Sequence, residues 1–375
     1  GILPSAFPTP EALAAIGIPL ADYIVEGTAA GELIDGSYLG DPEGDLVDAD
    51  DAENGSDDDI IEAGAGDDTV VSGDGNDSVF ADEGADDVDA GAGDDTVFGG
   101  DGADTISGGA DDDSLIGQAG ADSISGDTGD DFIEGGADND TLEGGIGNDT
   151  LDGGADNDSL DGGAGADSLL GNFGDDTLNG GEGADTLEGG FGDDTFIITD
   201  NFGDDQIFGD SDLETNGDTL DLSGVTTGVT VDLSSFNPED GSITDGTSSA
   251  DFFDIENIVL SGGNDTITLA DGSGVDSVDG FTAPTLVDGV LTGTDQLDVS
   301  GLTDAGGDPV NTFDVTVTDT VGDGSGDAIL TFPNGEQITL IGVDPSDVTT
   351  DEQLAAMGIP ISDGVGLEFA DRTAV

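Results

Sequence analysis

A carboxylate recurs every nine residues through the central stretch of this chain. Sixteen consecutive nine-residue units run from Asn54 to Ile197, and the sixth residue of each unit is Asp. These residues are Asp59, Asp68, Asp77, Asp86, Asp95, Asp104, Asp113, Asp122, Asp131, Asp140, Asp149, Asp158, Asp167, Asp176, Asp185 and Asp194. Carboxylates in strict register can hold a row of hard cations such as calcium, which prefers oxygen ligands. The spacing therefore predicts a column of metal-binding side chains.

Each unit also carries the residues that would position its carboxylate. The eighth residue is apolar in every unit, as at Ile61, Val70 and Phe196, which predicts a stacked core. Gly occupies the second and the fourth positions in 12 of 16 units each, and Asp replaces it at the other fourth positions. Gly accepts positive φ values, and Asp and Asn tolerate them next best. We therefore expect each unit to be a turn followed by a three-residue strand around the apolar residue.

The charge of the chain requires a cation that the chain itself does not supply. It has 89 acidic residues, one basic residue (Arg372) and a formal net charge of -88. Two carboxylates stacked at the strand spacing of about 4.8 Å repel by roughly 1 kcal/mol even in water. Sequences with this much charge stay disordered in plain water. We therefore expect cations from solution to be part of the folded state.

The missing residue types exclude several classes of protein. Without His and Cys there are no zinc sites of the usual kind, no Ser-His triads and no Cys nucleophiles. The acidic charge argues against nucleic-acid partners and anionic membrane surfaces, and no apolar run is long enough for a membrane span. Paired carboxylates can cleave glycosides, but carboxylates are too abundant here for pairing to indicate that chemistry. We therefore predict that the protein is not an enzyme.

The repeat pattern divides the chain into three zones. Residues 1–53 form an N-terminal cap with a short helix at Pro10–Ile16, and residues 54–197 form the repeat array. Residues 198–375 form a β-rich C-terminal region with degenerate repeats and a terminal short helix, which ends the stack as repeat architectures require. An acidic loop from Gly40 to Asp51 is either a further calcium site or a solvated loop.

Degenerate repeats lie on both sides of the array. Residues 27–35 form a degraded unit before it. In later motifs Asp205, Asp265 and Asp276 stand at the equivalent of the sixth position, which adds them to the candidate metal ligands. Alternating patterns also predict three late strands, at Phe313–Thr318, Ala328–Phe332 and Glu336–Ile341.

Two copies of one short segment lie at opposite ends of the chain. Residues 9–22 match residues 350–363 at 9 of 14 positions. The second copy has the capping-box pattern from Thr350 to Gln353 that begins a helix. The copies are either two similar caps or a duplicated docking element through which chains polymerise head to tail.

The repeated unit resembles a known family. Residues 144–152 read G-G-I-G-N-D-T-L-D, which fits the pattern G-G-x-G-x-D-x-U-x of the RTX (repeats-in-toxin) proteins. The resemblance implies an all-β fold, a right-handed parallel β-roll (a β-solenoid) with an irregular β-rich C-terminal cap, in which two units make one 18-residue turn. It also implies calcium ions between neighbouring turns, bound by the position-six Asp and by backbone carbonyls of the Gly-rich loops. About 14 such ions would add roughly 28 positive charges.

The resemblance further implies an exported protein. Members of the family leave the cell by type I secretion, stay unfolded at low cytosolic calcium and fold outside. Residues 354–360 also resemble the linker before a self-cleaving Hint domain in some RTX proteins, but that domain needs a Cys and the chain has none. The metalloprotease, lipase and acylated-toxin members need His or Lys, so this chain is none of those.

These observations favour one function and leave others open. We expect an extracellular or cell-surface calcium-binding protein with a structural role, as a subunit of a surface layer, a matrix or a filament. The alternative is a calcium-triggered secretion and folding module of a larger RTX precursor whose effector part is absent. Position seven is Thr or Ser in 13 of 16 units, which either forms an ice-binding array or simply favours exposed strand.

Overall fold

Each nine-residue repeat contributes one strand, and successive strands belong alternately to two different sheets. The structure is a computed structural model, and the chain forms two compact units, residues 1–147 and residues 148–375. The described residues are 24–26, 33–34, 58–209, 217–234, 239–270, 275–283, 285–287, 290–292, 295–303, 309–310, 315–321, 326–333 and 337–359. The predicted helix at Pro10–Ile16 and the acidic loop Gly40–Asp51 lie outside these residues.

The first unit contains two parallel sheets. Its strands are β1 (Ile24–Glu26), β2 (Leu33–Ile34), β3 (Ile60–Glu62), β4 (Thr69–Asp74), β5 (Ser78–Glu83), β6 (Asp87–Ala92), β7 (Thr96–Asp101), β8 (Thr105–Ala110), β9 (Ser114–Ala119), β10 (Ser123–Thr128), β11 (Phe132–Ala137) and β12 (Thr141–Ile146). Odd-numbered strands form one sheet and even-numbered strands the other. Ile106, Ile124 and Leu142 are partners on adjacent strands of one sheet. One turn of the solenoid therefore holds two nine-residue repeats. This confirms the predicted parallel β-solenoid.

The second unit continues this pattern and then departs from it. Its strands are β13 (Thr150–Ala155), β14 (Ser159–Gly165), β15 (Ser168–Phe173), β16 (Thr177–Gly183), β17 (Thr186–Phe191), β18 (Thr195–Thr199), β19 (Asp204–Phe208), β20 (Thr219–Gly224), β21 (Thr230–Asp232), β22 (Gly241–Thr244), β23 (Ser249–Phe253), β24 (Asn257–Val259), β25 (Thr266–Ala270), β26 (Val275–Asp279), β27 (Thr285–Val287), β28 (Val290–Thr292), β29 (Gln296–Gly301), β30 (Thr316–Asp319), β31 (Ala328–Thr331) and β32 (Gln337–Ile341).

Antiparallel pairs appear only late among the described strands of the second unit. One sheet has the order β13-β15-β17-β19-β23-β22-β21-β25-β29, and the other has the order β14-β16-β18-β20-β24-β26-β32-β31-β30. The strand β22 runs antiparallel to both of its neighbours, and β30, β31 and β32 form an antiparallel meander. The three predicted late strands are present as β30, β31 and β32.

The strands of the array are longer than predicted. Most have six residues rather than three, because pairing continues through the first three positions of the next unit. In β12 the added residues include Gly145, which has a φ of 107° and pairs with Asp127 of β10. Asp127 has a φ of 68°, so both strands bend at the same place and their hydrogen bonding is preserved across the bend.

The hydrophobic core of each compact unit lies between its two sheets. The position-eight side chains are 0–2 % exposed, as at Val97, Leu115, Leu151 and Phe196. Burying side chains of this size stabilises a fold by about 1.5–3 kcal/mol each. Ile34 of the degraded repeat is also buried and pairs with Val70, so β2 takes the place of a repeat strand in its sheet.

A short helix covers one sheet edge in the second unit. Helix α1 (Asp351–Ala356) begins with the predicted capping box between Thr350 and Gln353. The backbone N–H of Leu297 in β29 donates to the carbonyl oxygen of Met357, just after α1. One N–H group of this edge strand, that of Leu297, therefore has a partner in the second terminal copy. In the described part of the chain no helix has the length and hydropathy to cross a membrane.

Candidate metal centre

Within each compact unit the position-six Asp residues are buried and stack in front of the strands of both sheets, and we call this set of residues the column. All sixteen are between 1 % and 3 % exposed, although they carry the charge of an acidic side chain. Each stands directly before the strand that holds the buried position-eight residue, as Asp95 does before β7. The sequence-predicted residues are therefore brought into register on successive turns.

A hydrogen-bond ladder connects each carboxylate to the preceding turn. The backbone N–H of Asp95 donates to Oδ1 of Asp113 at 2.8 Å. The N–H of Asp104 donates in the same way to Asp122 at 2.8 Å, and that of Asp158 to Asp176 at 2.7 Å. One oxygen of each of these carboxylates is thus used to hold the turns in register.

The second carboxylate oxygen is buried without a donor in many of these residues. Among the described residues, no hydrogen bond reaches Oδ2 of Asp86, Asp95, Asp104, Asp113, Asp122, Asp167, Asp176, Asp185 or Asp194. Burying a charged oxygen without a partner is costly, because the water it loses is not replaced. A cation next to Oδ2 would remove this cost.

Oδ2 and a carbonyl oxygen of the next turn both lie close to the first residue of the nine-residue repeat and leave no room for a side chain there. A Cβ atom placed on Gly99, the first residue of its unit, would lie 2.6 Å from Oδ2 of Asp104 and 2.9 Å from the carbonyl oxygen of Gly117. On Gly162 it would lie 2.7 Å from both Oδ2 of Asp167 and the carbonyl oxygen of Gly180. Carboxylate and carbonyl oxygens are the ligands that calcium prefers.

The donor set fits calcium better than a transition metal. Within the described segments, no group of three or more His, Cys, Asp or Glu side chains converges to hold a metal. A bound cation would therefore depend on backbone carbonyl oxygens beside one or two carboxylates. That mixture suits a hard cation with adaptable geometry and excludes the His and Cys sites of zinc.

Burial also shifts the protonation of the column. It raises the pKa of Asp86, Asp140 and Asp176 to about 6. The pKa rises to about 7 at Asp95, Asp113, Asp122, Asp167 and Asp194. The backbone N–H bond to each carboxylate opposes this shift, and the negative charges of neighbouring Asp residues add to it. Without a cation the column would hold protons near neutral pH.

The three predicted metal ligands beyond the array lie in different surroundings. Asp205 is 4 % exposed and accepts the N–H of Asp185 at 3.0 Å, so it continues the ladder. Asp265 is 1 % exposed and accepts the N–H of Val229 at 2.8 Å. Asp276 lies in β26, but its side chain is outside the described residues.

Three acidic residues of the ladder were missed by the sequence analysis. The N–H of Asp194 donates to Asp218 at 2.8 Å, and the N–H of Asp265 donates to Asp295 at 3.0 Å. The N–H of Asp218 donates to Oε2 of Glu256 at 2.7 Å. A signal for two of them was present, because Asp218 and Asp295 begin similar segments, D-T-L-D-L-S-G-V and D-Q-L-D-V-S-G-L.

A second ladder at position five was also missed. The N–H of Asp94 donates to Oδ1 of Asn76 at 3.1 Å, and that of Asp130 donates to Asp112 at 2.8 Å. These bonds point back to the preceding turn, whereas the position-six bonds point forward. Position five is Asp or Asn in 11 of 16 units, a bias that indicates this ladder.

Comparison with known proteins identifies the repeats. The family of the RTX calcium-binding nonapeptide repeat (4 copies) matches residues 53–88, 80–115, 89–124, 107–142, 125–160, 134–169 and 161–196. No curated protein matches the chain.

Two solved structures share weaker similarity. One is the X-ray crystal structure of a hyperactive, Ca2+-dependent, beta-helical antifreeze protein from an Antarctic bacterium, with 24 % identity and a TM-score of 0.22 over 68 % of this chain and 72 % of that chain. The other is the extracellular lipase LipA from Serratia marcescens, with 17 % identity and a TM-score of 0.23 over 62 % of this chain and 44 % of that chain. The family match spans the whole Asp column. Residues 53–196 therefore match the model of the RTX calcium-binding nonapeptide repeat.

Proposed function

We propose that the position-six Asp residues are calcium ligands, together with Asp205, Asp265 and Asp276. The observation that carries this proposal is the buried Oδ2 of residues such as Asp104 and Asp167. Among the described residues no hydrogen bond reaches these oxygens, and a carbonyl oxygen of the next turn lies near each of them. Bound calcium would supply the positive charge that the chain lacks. The Asp side chains hold the ion through Oδ2 and hold the preceding turn through Oδ1, so ion binding and stacking of turns are coupled.

This coupling makes folding depend on calcium outside the cell. At low calcium the carboxylates of neighbouring turns repel, and the chain stays unfolded. On export to a calcium-rich medium the same residues become the links between turns. Type I secretion suits this behaviour, because a chain that is unfolded in the cytosol can pass through a narrow export channel.

We further propose a structural role, in a surface layer, a matrix or a filament. The support is that the repeated chemistry of the array, a buried carboxylate beside a buried apolar residue, serves to hold the turns of the array together. A polymer of such chains would need contacts other than the edge of β29, because the N–H of Leu297 already donates to Met357. That contact favours the interpretation of the second terminal copy as a cap.

Electron microscopy and light scattering before and after calcium addition test the structural role. We expect defined polymers to form with calcium and to disappear with EDTA. A variant that lacks residues 1–26 tests whether the first terminal copy takes part, and it should assemble less if it does. A calcium-bound chain that stays monomeric contradicts the structural role and favours a folding module of a larger RTX precursor.

A further inference from the structure

An apolar ladder lies on the outer face of one sheet in the first unit. Position nine places Phe80, Phe98 and Ile116 on the adjacent strands β5, β7 and β9, as direct partners. The rings of Phe80 and Phe98 are stacked, with centroids 5.2 Å apart and planes 4° apart. Phe80 is 36 % exposed. Such a surface is unusual in a chain whose solvent-facing residues are mostly acidic.

The other sheet of the same unit has no such ladder. Its position-nine residues on consecutive strands are Val71, Asp89, Ser107, Ser125 and Glu143. Position nine points outward in both sheets, so the core does not require an aromatic residue there. The apolar ladder is thus a property of one face rather than of the fold.

A groove runs beside the stacked rings. It has a volume of about 560 Å³ and is lined by Phe80 and Phe98, with Asp82, Glu83, Asp101 and Gln118 also around it. Gly100 leaves the floor of the groove open, because it pairs with Asp82 on one side and with Gln118 on the other and has no side chain. The volume is within the range of about 300–1,000 Å³ that is typical of binding pockets.

The groove is long enough for a short extended segment. It reaches from Ala65, after β3, to Gln118 in β9, which corresponds to three strand spacings of about 4.8 Å each, or roughly 14 Å. An extended peptide advances about 3.3 Å per residue. About four residues of an extended chain would therefore occupy it.

Three carboxylates beside two aromatic rings indicate the charge of the ligand that the groove would bind. Asp82, Glu83 and Asp101 give the groove a negative charge, and the net charge of the whole chain is -88. A cationic group gains from both parts of the groove, because ammonium and guanidinium groups pair with carboxylates and are attracted to aromatic rings.

We propose that this groove binds a basic peptide segment of a partner protein. Lys or Arg side chains of the segment pair with Asp82, Glu83 and Asp101, and an apolar side chain between them packs against Phe80 and Phe98. The carboxylates draw basic partners to the surface from a distance, and the rings select those with an apolar residue among the basic ones. This binding does not depend on the proposed structural role.

Fluorescence titration provides a direct test, because the chain contains no Trp. The probe is a seven-residue peptide in which Lys alternates with Leu around one central Trp, added to the full chain in calcium. A variant with Phe80→Ser and Phe98→Ser should raise the Kd at least fivefold, and a variant with Glu83→Gln and Asp101→Asn should do the same. The second variant changes exposed residues only, so it remains informative if the first does not fold.

Matched controls lie on the other sheet of the same unit. Val71→Ser, and the pair Asp74→Asn and Asp89→Asn, remove similar groups away from the groove and should change the Kd less than twofold. Equal losses in the groove variants and in these controls would mean unspecific attraction to a polyanion, and would overturn the proposal. Tighter binding of a β-1,4-linked glucose hexamer than of the Lys peptide, measured by calorimetry, would overturn it in favour of a glycan.

Discussion

The repeat array and the region after it hold their carboxylates in the same ladder but at different sequence separations. Within the array the step from Asp176 to Asp194 is 18 residues. Later steps lengthen to 20 residues at Asp205, to 24 at Asp218 and to 38 at Glu256. The ladder is therefore maintained by position in space, and between Asp218 and Glu256 the additional residues include the sheet strands β21, β22 and β23.

The two regions also treat their loop carboxylates differently. Burial raises the pKa of the column, whereas hydrogen bonds lower the pKa of several late carboxylates. Ser248 lowers the pKa of Asp245, Ser300 that of Asp298 and Ser346 that of Asp344. These late carboxylates are stabilised by local donors. Buried carboxylates, which include Asp205 and Asp265 beyond the array, need a cation for their charge, and the following experiments separate the two kinds of carboxylate.

Calcium removal should have the largest effect. We expect EDTA to convert the circular dichroism spectrum from β to coil and to remove amide hydrogen-exchange protection over residues 58–197, because the column loses its counter-charge. Protection that persists in EDTA at neutral pH would contradict the role of calcium in stacking the turns.

Acid should partly replace calcium. The folded-state pKa of Asp95, Asp113 and Asp122 is raised to about 7 from the ordinary 3.8. The folded state therefore binds more protons, so these residues contribute stability that is fully present below pH 4 and lost as the pH rises through about 7. In EDTA the β signal should increase when the pH falls from 8 to 5, still above the pI of 4.1. A β signal that grows with rising pH would refute this, and light scattering controls for aggregation.

Substitution of a single carboxylate of the ladder, in either region, should have an intermediate effect on calcium binding. Asp176→Asn in the array and Asp218→Asn beyond it each remove a charge but leave an oxygen for the N–H of the preceding rung. We expect the midpoint of a calorimetric calcium titration to rise about tenfold for Asp176→Asn, equivalent to about 1.4 kcal/mol. An equal rise for Asp218→Asn would extend the calcium sites past the array, whereas no rise would limit that rung to hydrogen bonding.

Glycine substitutions should show the smallest effects. In Gly162→Ala the new methyl group would lie only 2.7 Å from Oδ2 of Asp167 and from the carbonyl oxygen of Gly180, so we expect a loss of about 1–3 kcal/mol in stability from overpacking. Gly262→Ala, in the later region, meets no atom within 4 Å and should stay within about 0.5 kcal/mol. Thermal unfolding in calcium measures both, and equal losses would show that the crowding at Gly162 has no special role.

The repeat register was predictable because one constraint recurs at every unit. Positive φ values explain why Asp replaces Gly, since Asp111, Asp138 and Asp156 have φ between 74° and 77°. The six-residue strands were not predictable from one unit, because the bend at Gly145 is compatible with pairing only when the neighbouring turn bends in the same place. Asp218 was missed because its rung is set by spatial stacking and no longer by a nine-residue period.

Alternation of units between two sheets makes the outer surface depend on whether the number of repeats is odd or even. Phe80 and Phe98 are partners because two units separate them. Deleting one nine-residue unit between them would keep every carboxylate and every core residue in register, yet Phe98 would emerge on the opposite side. Deleting two consecutive repeats elsewhere in the array would leave the sides unchanged. Gain or loss of single repeats during evolution can thus redistribute surface features between the two faces while the interior stays intact.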